Sequence, residues 1–400
     1  MVTTLNAIMT EIFTGIRPER VLILREDKQG YEMNLSDVLK AFNINAEVEV
    51  KIIGEGIKRW REEVSKLKID IADITPGRKY MAVSLMNYSN AEIRYAYLKD
   101  ESRGYRIFGY VPLNEIRVYN VRTGEEISYE PPKTVKSLQK KSTLSSEGLQ
   151  ALLNLYKLIG EVDYSFGGSE LPDKDLETAE EMCKTISGFL RFEEEGELRK
   201  YVKNGYFFIA DTNVYIKLGD RLRELLSDRE KGFRLLASKA TYNELLEKTR
   251  TSQKLIDLKF HLAIGSYRRL HAPPATSEEK RAGDIGIVEE AKRIKRELEE
   301  PLALITADKM VYNLARAQGV AAILLNQKVE KKEEGNLGEF LYCKSYYHNN
   351  IEVYVGGKLF ARILKNERVS EKKTVNVEVY NLEYNYAYVI QELERLLSLG

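Results

Sequence analysis

The stretch LALITADKMVYNLARAQGVAAILLN, residues 302–326, decides how this chain is read. LALIT and AAILLN are short apolar runs of strand length, a helical pattern lies between them, and the first run ends on Asp308. Strands of this kind, apolar throughout, belong to a parallel sheet covered by helices on both faces. Working outward, YFFIAD (206–211) and FRLLAS (233–238) are further strand candidates separated by helices, so a doubly wound α/β unit begins near Tyr206.

An earlier stretch shows the same rhythm. VLILRE (21–26), SDVLKAF (36–42), EVEVKII (47–53), IKRWREEVSKL (57–67), IDIAD (69–73), YMAVSLM (80–86) and EIRYAYL (92–98) alternate strand and helix, which predicts a parallel sheet with covering helices over residues 1–132. Pro131 and Pro132 close that domain. Residues 133–203 read as a helical connector, in which LSSEGLQALLNLYKLIG (144–160) is either a spacer helix or the opening of a helix-turn-helix. Residues 204–330 form the second α/β unit. Residues 331–400 are a β-rich extension, with IEVYVGGKLFARIL and KTVNVEVYNL ending in the helix YAYVIQELERLLSL.

Composition narrows the function. The 400 residues carry a net charge of +1 although 31% are charged, so no overall polycationic field grips nucleic acid and any such contact is local. No run approaches the roughly 18 apolar residues of a membrane span, and the first fifteen residues lack the plan of a signal peptide; the expectation is a cytoplasmic protein with no membrane partner. Cys183 and Cys343 are expected to remain thiols that serve as packing residues.

Four acids fall where a doubly wound fold places ligand groups, at the carboxyl ends of strands or in the helix turns after them. Asp211 ends YFFIA and Asp308 ends LALIT. Glu244 lies in the helix after FRLLAS, and Asp284 opens DIGIVEEAKRIKREL beside a stripe of Ile285, Val288, Ala291, Ile294 and Leu298. Each has a plain alternative, as an N-cap, a dipole partner or a solvated surface charge. Together, converging carboxylates suit a hard divalent cation, Mg2+ or Mn2+, which neutralises the like-charge crowd and activates water against a phosphodiester. None of the three histidines (His261, His271, His348) falls in such a motif.

The segments ADTNVYI, SKATYNELLE, GDIGIVEEAKRI and LALITADKMVYNLARAQGVAAILLN resemble the successive motifs of PIN-domain nucleases, over residues 205–330. The resemblance implies a metal-dependent endonuclease, single-stranded RNA favoured, with Asp211, Glu244, Asp284 and Asp308 as metal ligands and Asn213 and Thr306 in support. Glu247 is the rival for the second acid.

In the N-terminal half, DITPGRKYMAV (73–83) sets a tight turn and a helix start after a strand, an arrangement that leaves backbone N–H groups to cradle phosphate, with Gly77 allowing close approach and Arg78 and Lys79 adding charge. This stretch resembles the signature of CARF domains, Rossmann-like sensors of cyclic oligoadenylate in CRISPR defence; VTTLNAI (2–8) is similar to their first strand and ligand loop. The resemblance implies a ligand site at Thr3, Thr4, Asn6, Thr75, Pro76, Gly77, Arg78 and Lys79, with Pro76 where glycine is usual, and an isologous homodimer. Two other readings stay open: a ligand-controlled DNA-binding regulator with a silent nuclease fold, and a housekeeping RNA-processing nuclease.

Overall fold

The computed structural model describes residues 2–27, 34–99, 106–228, 230–252, 254–271, 283–331 and 335–398. The chain is mixed α/β and divides into two units, Met1–Phe166 with Asn350–Leu364 and Val375–Gly400, and Gly167–Asn349 with Lys365–Thr374. Breaks at 132, 203 and 330 are therefore not where the folded chain divides. Contacts between residues far apart in sequence set the division, and composition does not display them.

The first unit opens with helix α1, Val2–Phe13, where VTTLNAI was expected to be a strand. Extending the stretch through MTEIF explains the correction: Leu5, Met9, Ile12 and Phe13 are buried at helical spacing. Next come β1 (Arg20–Arg25), α2 (Ser36–Ala41), β2 (Glu47–Ile52), α3 (Ile57–Val64), β3 (Ile71–Asp73), α4 (Lys79–Tyr88), β4 (Glu92–Leu98), β5 (Ile116–Asn120) and β6 (Glu126–Ile127). The alternation is as expected, but among the described residues the strands form two sheets and not one parallel sheet. β1 and β2 pair in parallel as one sheet, and β3-β4-β5-β6 form another, in which β3 and β4 are parallel and the remaining pairs antiparallel. Strand β7 (Lys141–Ser145), helix α5 (Ser146–Tyr156) and strand β8 (Val162–Phe166) follow. LSSEGLQALLNLYKLIG is thus a strand end and one helix whose next element is a strand, so it does not open a helix-turn-helix. All but one residue of α5 from Leu149 to Tyr156 is buried, which occupies the face a DNA-reading helix would need.

The second unit carries α6 (Asp173–Ser187), β9 (Leu190–Phe192), α7 (Glu195–Lys203), β10 (Phe207–Ala210), α8 (Thr212–Leu218), α9 (Arg221–Leu225), β11 (Ser227–Asp228) and β12 (Gly232–Phe233). It continues with α10 (Lys239–Thr251), α11 (Leu258–Leu270), α12 (Asp284–Glu297), β13 (Leu302–Thr306), α13 (Lys309–Ala317), β14 (Ala321–Leu324), β15 (Lys328–Glu330) and α14 (Leu337–Lys344). Strands β10, β13 and β14 form a parallel sheet in the order β10-β13-β14. Phe208, Ala210, Ala303 and Ile305 face one core with Val214, Tyr215 and Tyr267, whereas Ile209, Leu302 and Leu304 face another with Val288, Ala291, Val311 and Ala315. Both faces are covered, which is why these strands read as unbroken apolar runs.

Three local expectations need correction. FRLLAS is not a full strand: Phe233 ends β12, and Leu235 makes a single parallel bridge to Phe208. In α12 the expected stripe holds at Val288, Ala291, Ile294 and Leu298, but Ile285 is 61% exposed, and Ile287 and Glu290 join the buried face. Nor are the cysteines free, because packing of α6 against α14 brings Cys183 and Cys343 to a Cα separation of 5.5 Å as a disulfide. Their separation of 160 residues hid that pairing. Tyr342, Tyr346, Tyr347 and Lys344 are buried within this unit, so they pack it and present no stacking surface.

The chain ends in the first unit with β16 (Asn350–Val355), β17 (Lys358–Leu364), β18 (Thr374–Val379) and α15 (Tyr386–Ser398). Gly356 and Gly357 have φ of 54° and 75°, the left-handed pair that a two-residue hairpin between β16 and β17 requires. These strands close a five-stranded sheet, β7-β18-β17-β16-β8, so the tail completes the strands of residues 141–166. No helix among the described residues is long and apolar enough to cross a membrane.

Candidate functional site

Parallel pairing of β10 with β13 sets Ala210 opposite Ile305, and the next residues, Asp211 and Thr306, emerge side by side at the carboxyl edge of the sheet. Asp211 is buried and caps α8, accepting from the Val214 amide at 2.9 Å, while the Thr306 hydroxyl donates to its other oxygen. The same hydroxyl accepts the Asp308 amide at 2.9 Å. Asp308 in turn caps α13, its Oδ1 taking the Met310 and Val311 amides at 2.6 and 3.4 Å. The capping alternative for both aspartates is thus real, and Thr306 ties the two caps together.

Glu244 on α10 is half-buried and paired with Lys248, one turn later, at 2.5 Å. Glu247 is exposed on the same helix. Asp284 is exposed as the first residue of α12, and Asn213 is exposed in the first turn of α8. Electrostatics relates the acids. Burial pushes the Asp211 carboxyl up to about 6; its bonds from Thr306 and Val214 oppose this, and the Glu244 charge raises it further. Asp284 is also raised, by partial desolvation and then by the charges of Asp308 and Glu244, with Lys248 opposing. Glu244, and not Glu247, is therefore the acid whose field reaches both aspartates.

Among the described residues, no three acidic or metal-ligating side chains form a ready-made cage. The donors are nonetheless all carboxylate oxygens, the set a hard cation takes, and the neighbouring acids add to the elevation that burial gives Asp211 and Asp284, a contribution a divalent ion would relieve. By donor chemistry the residues fit Mg2+ or Mn2+.

Sequence reasoning missed the residues that place α10. Glu290, buried on α12, accepts from the Ser238 hydroxyl at 2.7 Å and from the Lys239 and Ala240 amides at 3.0 Å each. The Thr241 hydroxyl donates to the Ala210 carbonyl at 2.9 Å, and Tyr267 donates to the Ser238 carbonyl at 2.8 Å. An acid inside the apolar face of α12 was the available signal.

In the first unit, a cleft of about 1470 Å³ is walled by β1, β3 and α1 and lined by Thr4, Pro76 and Gly77. Gly77 sits at φ 105°, and an added Cβ would press on the Met81 sulfur at 3.0 Å. Other expected ligand residues have structural partners. The Thr75 amide donates to Asp73 at 2.7 Å and the Thr75 hydroxyl accepts the Ala96 amide at 2.8 Å, fixing the turn. Arg78 pairs with Glu26 at 3.3 Å, Lys79 begins α4, and Asn6 donates to the Arg106 carbonyl at 3.0 Å. Thr3, Thr4 and Asn6 lie on a helix, so a ligand loop on a strand does not exist there. No family model matches the chain, and no curated protein matches it.

Proposed function

We propose that residues 204–330 are a metal-dependent endonuclease cutting single-stranded RNA, and that the N-terminal cleft takes a cyclic oligoadenylate that regulates it, as in type III CRISPR antiviral defence. The observation that carries the reading is the pair Asp211 and Asp308 tied through Thr306 at the carboxyl edge of the sheet, with the Glu244 charge adding to the elevation of Asp211 and the charges of Asp308 and Glu244 to that of Asp284.

Asp211, Glu244, Asp284 and Asp308 would hold Mg2+ or Mn2+, and the bound ion supplies an activated water and neutralises charge on the phosphate. The chain's own residues prepare that edge. Thr306 and the Val214 amide hold Asp211 in one orientation, Lys248 holds Glu244, and the exposed Asn213 amide offers hydrogen bonds to a phosphate at the first turn of α8. In the cleft, the turn at Pro76 and Gly77 offers backbone N–H groups at the start of α4 to a ligand phosphate. A symmetric cyclic ligand suits an isologous homodimer.

The test is cleavage of labelled single-stranded RNA in Mn2+, with and without cyclic tetra- or hexa-adenylate, by the natural chain and by Asp308→Ala. Cleavage that requires metal, Asp308 and the cyclic ligand supports both halves of the proposal. Cutting indifferent to the ligand removes the sensor half, and equal inertness of both chains on RNA and DNA removes the nuclease.

A further inference from the structure

The N-terminal cleft holds a buried charge cluster that this reading leaves unused. Glu11 on α1 and Asp73 at the end of β3 both line it. Glu11 Oε2 accepts from Arg94 Nη1 at 2.7 Å, and the Arg94 Nε donates to Glu92 at 2.7 Å. Arg94 Nη1 also donates to the Thr14 hydroxyl at 3.1 Å. Asp73 Oδ1 accepts the Thr75 amide at 2.7 Å. The remaining oxygens, Glu11 Oε1 and Asp73 Oδ2, are buried and receive no bond from an N–H or hydroxyl of the described residues. Two buried carboxyl groups lining one cleft, each with one oxygen left over, satisfy each other when they share one proton, and each acid enters the electrostatics of the other.

We propose that Glu11 is a positioning residue for the Thr75–Lys79 turn: its protonated carboxyl donates to Asp73 and thereby keeps Asp73 on the Thr75 amide. The inference rests on the reading of this cleft as the nucleotide site. When Glu11 ionises, two buried carboxylates face each other across one guanidinium already bonded to Glu11 and Glu92, and Asp73 is driven off the turn. The charged and titratable groups facing Glu11 are Asp73 from β3, Arg94 and Glu92 from β4, and Tyr129, whose phenol is raised by burial and by these two acids. Burial, then the Asp73 charge, lifts Glu11 to about 7 against the pull of Arg94 and Thr14, which places its ionisation where pH titration reads it. Binding of a polyanion at the turn is then linked to one proton.

The test is binding of cyclic tetra-adenylate to the full chain at pH 6 and pH 8, for the natural protein and for Glu11→Gln, whose amide donates to Asp73 at either pH. The natural protein should lose about tenfold in affinity between the two pH values, one proton being linked, while Glu11→Gln keeps the tighter affinity at both. Glu11→Ala, unable to donate, should bind weakly at both. Identical pH profiles for the natural chain and Glu11→Gln overturn the proposal. If no chain binds the nucleotide, the ligand reading of the cleft fails, and melting separates that failure from this one: Glu11→Gln should still melt higher than the natural chain at pH 8 and alike near pH 4. Equal melting at pH 8 overturns the Glu11–Asp73 link itself.

Discussion

Asp73 and Asp211 are the same device in two settings. Each stands at the carboxyl end of a strand, each is held by an amide of the following turn, and burial raises each carboxyl above its ordinary range. The surroundings differ in charge. Beside Asp73 stands Arg94, bonded to Glu11 and Glu92 and nearly inaccessible to water. Beside Asp211 the further charges are Glu244 and, through it, Asp284 and Asp308, while Lys248 answers Glu244 from the half-exposed side of α10. The first cluster contains its own cation. The second has only Lys248, paired with Glu244 and 38% exposed, and on the proposed reading a divalent ion supplies the remaining positive charge.

The largest effect that could break the comparison is on Arg94. Arg94→Met removes the guanidinium from between Glu11 and Glu92, and stripping one partner from a buried pair costs about 3–5 kcal/mol. The loss should be greatest above pH 7, because below it Glu11, with a carboxyl near 7, can take up a proton instead. Urea unfolding at pH 8 and at pH 5 reads this directly. Equal and small losses at both pH values would show that the first cluster does not depend on its internal cation.

The second effect concerns the acidic edge. Losing a partner that merely supports a metal ligand costs about 10–100-fold, so Asp211→Asn should lower RNA cleavage by more than about 100-fold if Asp211 is itself a ligand. The stability sign is opposite. With a folded carboxyl near 6 against an ordinary value of 3.8, Asp211 favours folding fully below pH 4, and that contribution is lost as pH rises through 6. In metal-free buffer, Asp211→Asn should therefore melt above the natural chain at pH 7 and no higher at pH 4. Mn2+ should raise the natural chain's melting temperature more at pH 7 than at pH 5, because a cation competes with the proton. A natural chain indifferent to Mn2+ at both pH values counts against a cation at this edge.

How much of this was legible follows from what each contact needs. LALIT, YFFIA and AAILL announced their strands because helices cover both sheet faces, leaving no polar position to blur the run. Asp211, Thr306 and Asp308 were legible with them, since a strand's last residue and the one or two after it are fixed once the strand is. Glu11, Asp73 and Arg94 were not, because they come from a helix and two strands of unrelated register, and nothing local in MTEIF or EIRYAYL marks its acid or base as buried. The closing sheet was hidden for the same reason: β7 and β8 pair with β18 and β16 across some two hundred residues of chain that fold into the other unit. VTTLNAI misled because seven residues are too few to separate period two from period 3.6, and the decisive positions, Met9, Ile12 and Phe13, lie just beyond it.

The smallest effect sharpens the comparison most. Lys248 is the cation bonded at the acidic edge, yet its side chain is 38% exposed and its pair with Glu244 spans one helical turn. Such pairs contribute about 0.3–0.5 kcal/mol, so Lys248→Met should shift stability by under about 1 kcal/mol, where Arg94→Met costs several. Its removal also frees Glu244 and takes away a positive charge that opposes the elevation of Asp284. The variant should consequently bind Mn2+ a few-fold more tightly, roughly what loss of one screened like charge gives near a protein surface. Titration calorimetry with Mn2+ measures this, with Lys248→Arg as the charge-preserving control. Tighter binding in the Met variant alone would identify Lys248 as the edge's partial substitute for a metal ion. Weaker binding would make it part of the site's framework, and the two carboxylate clusters would then differ less than their charges suggest.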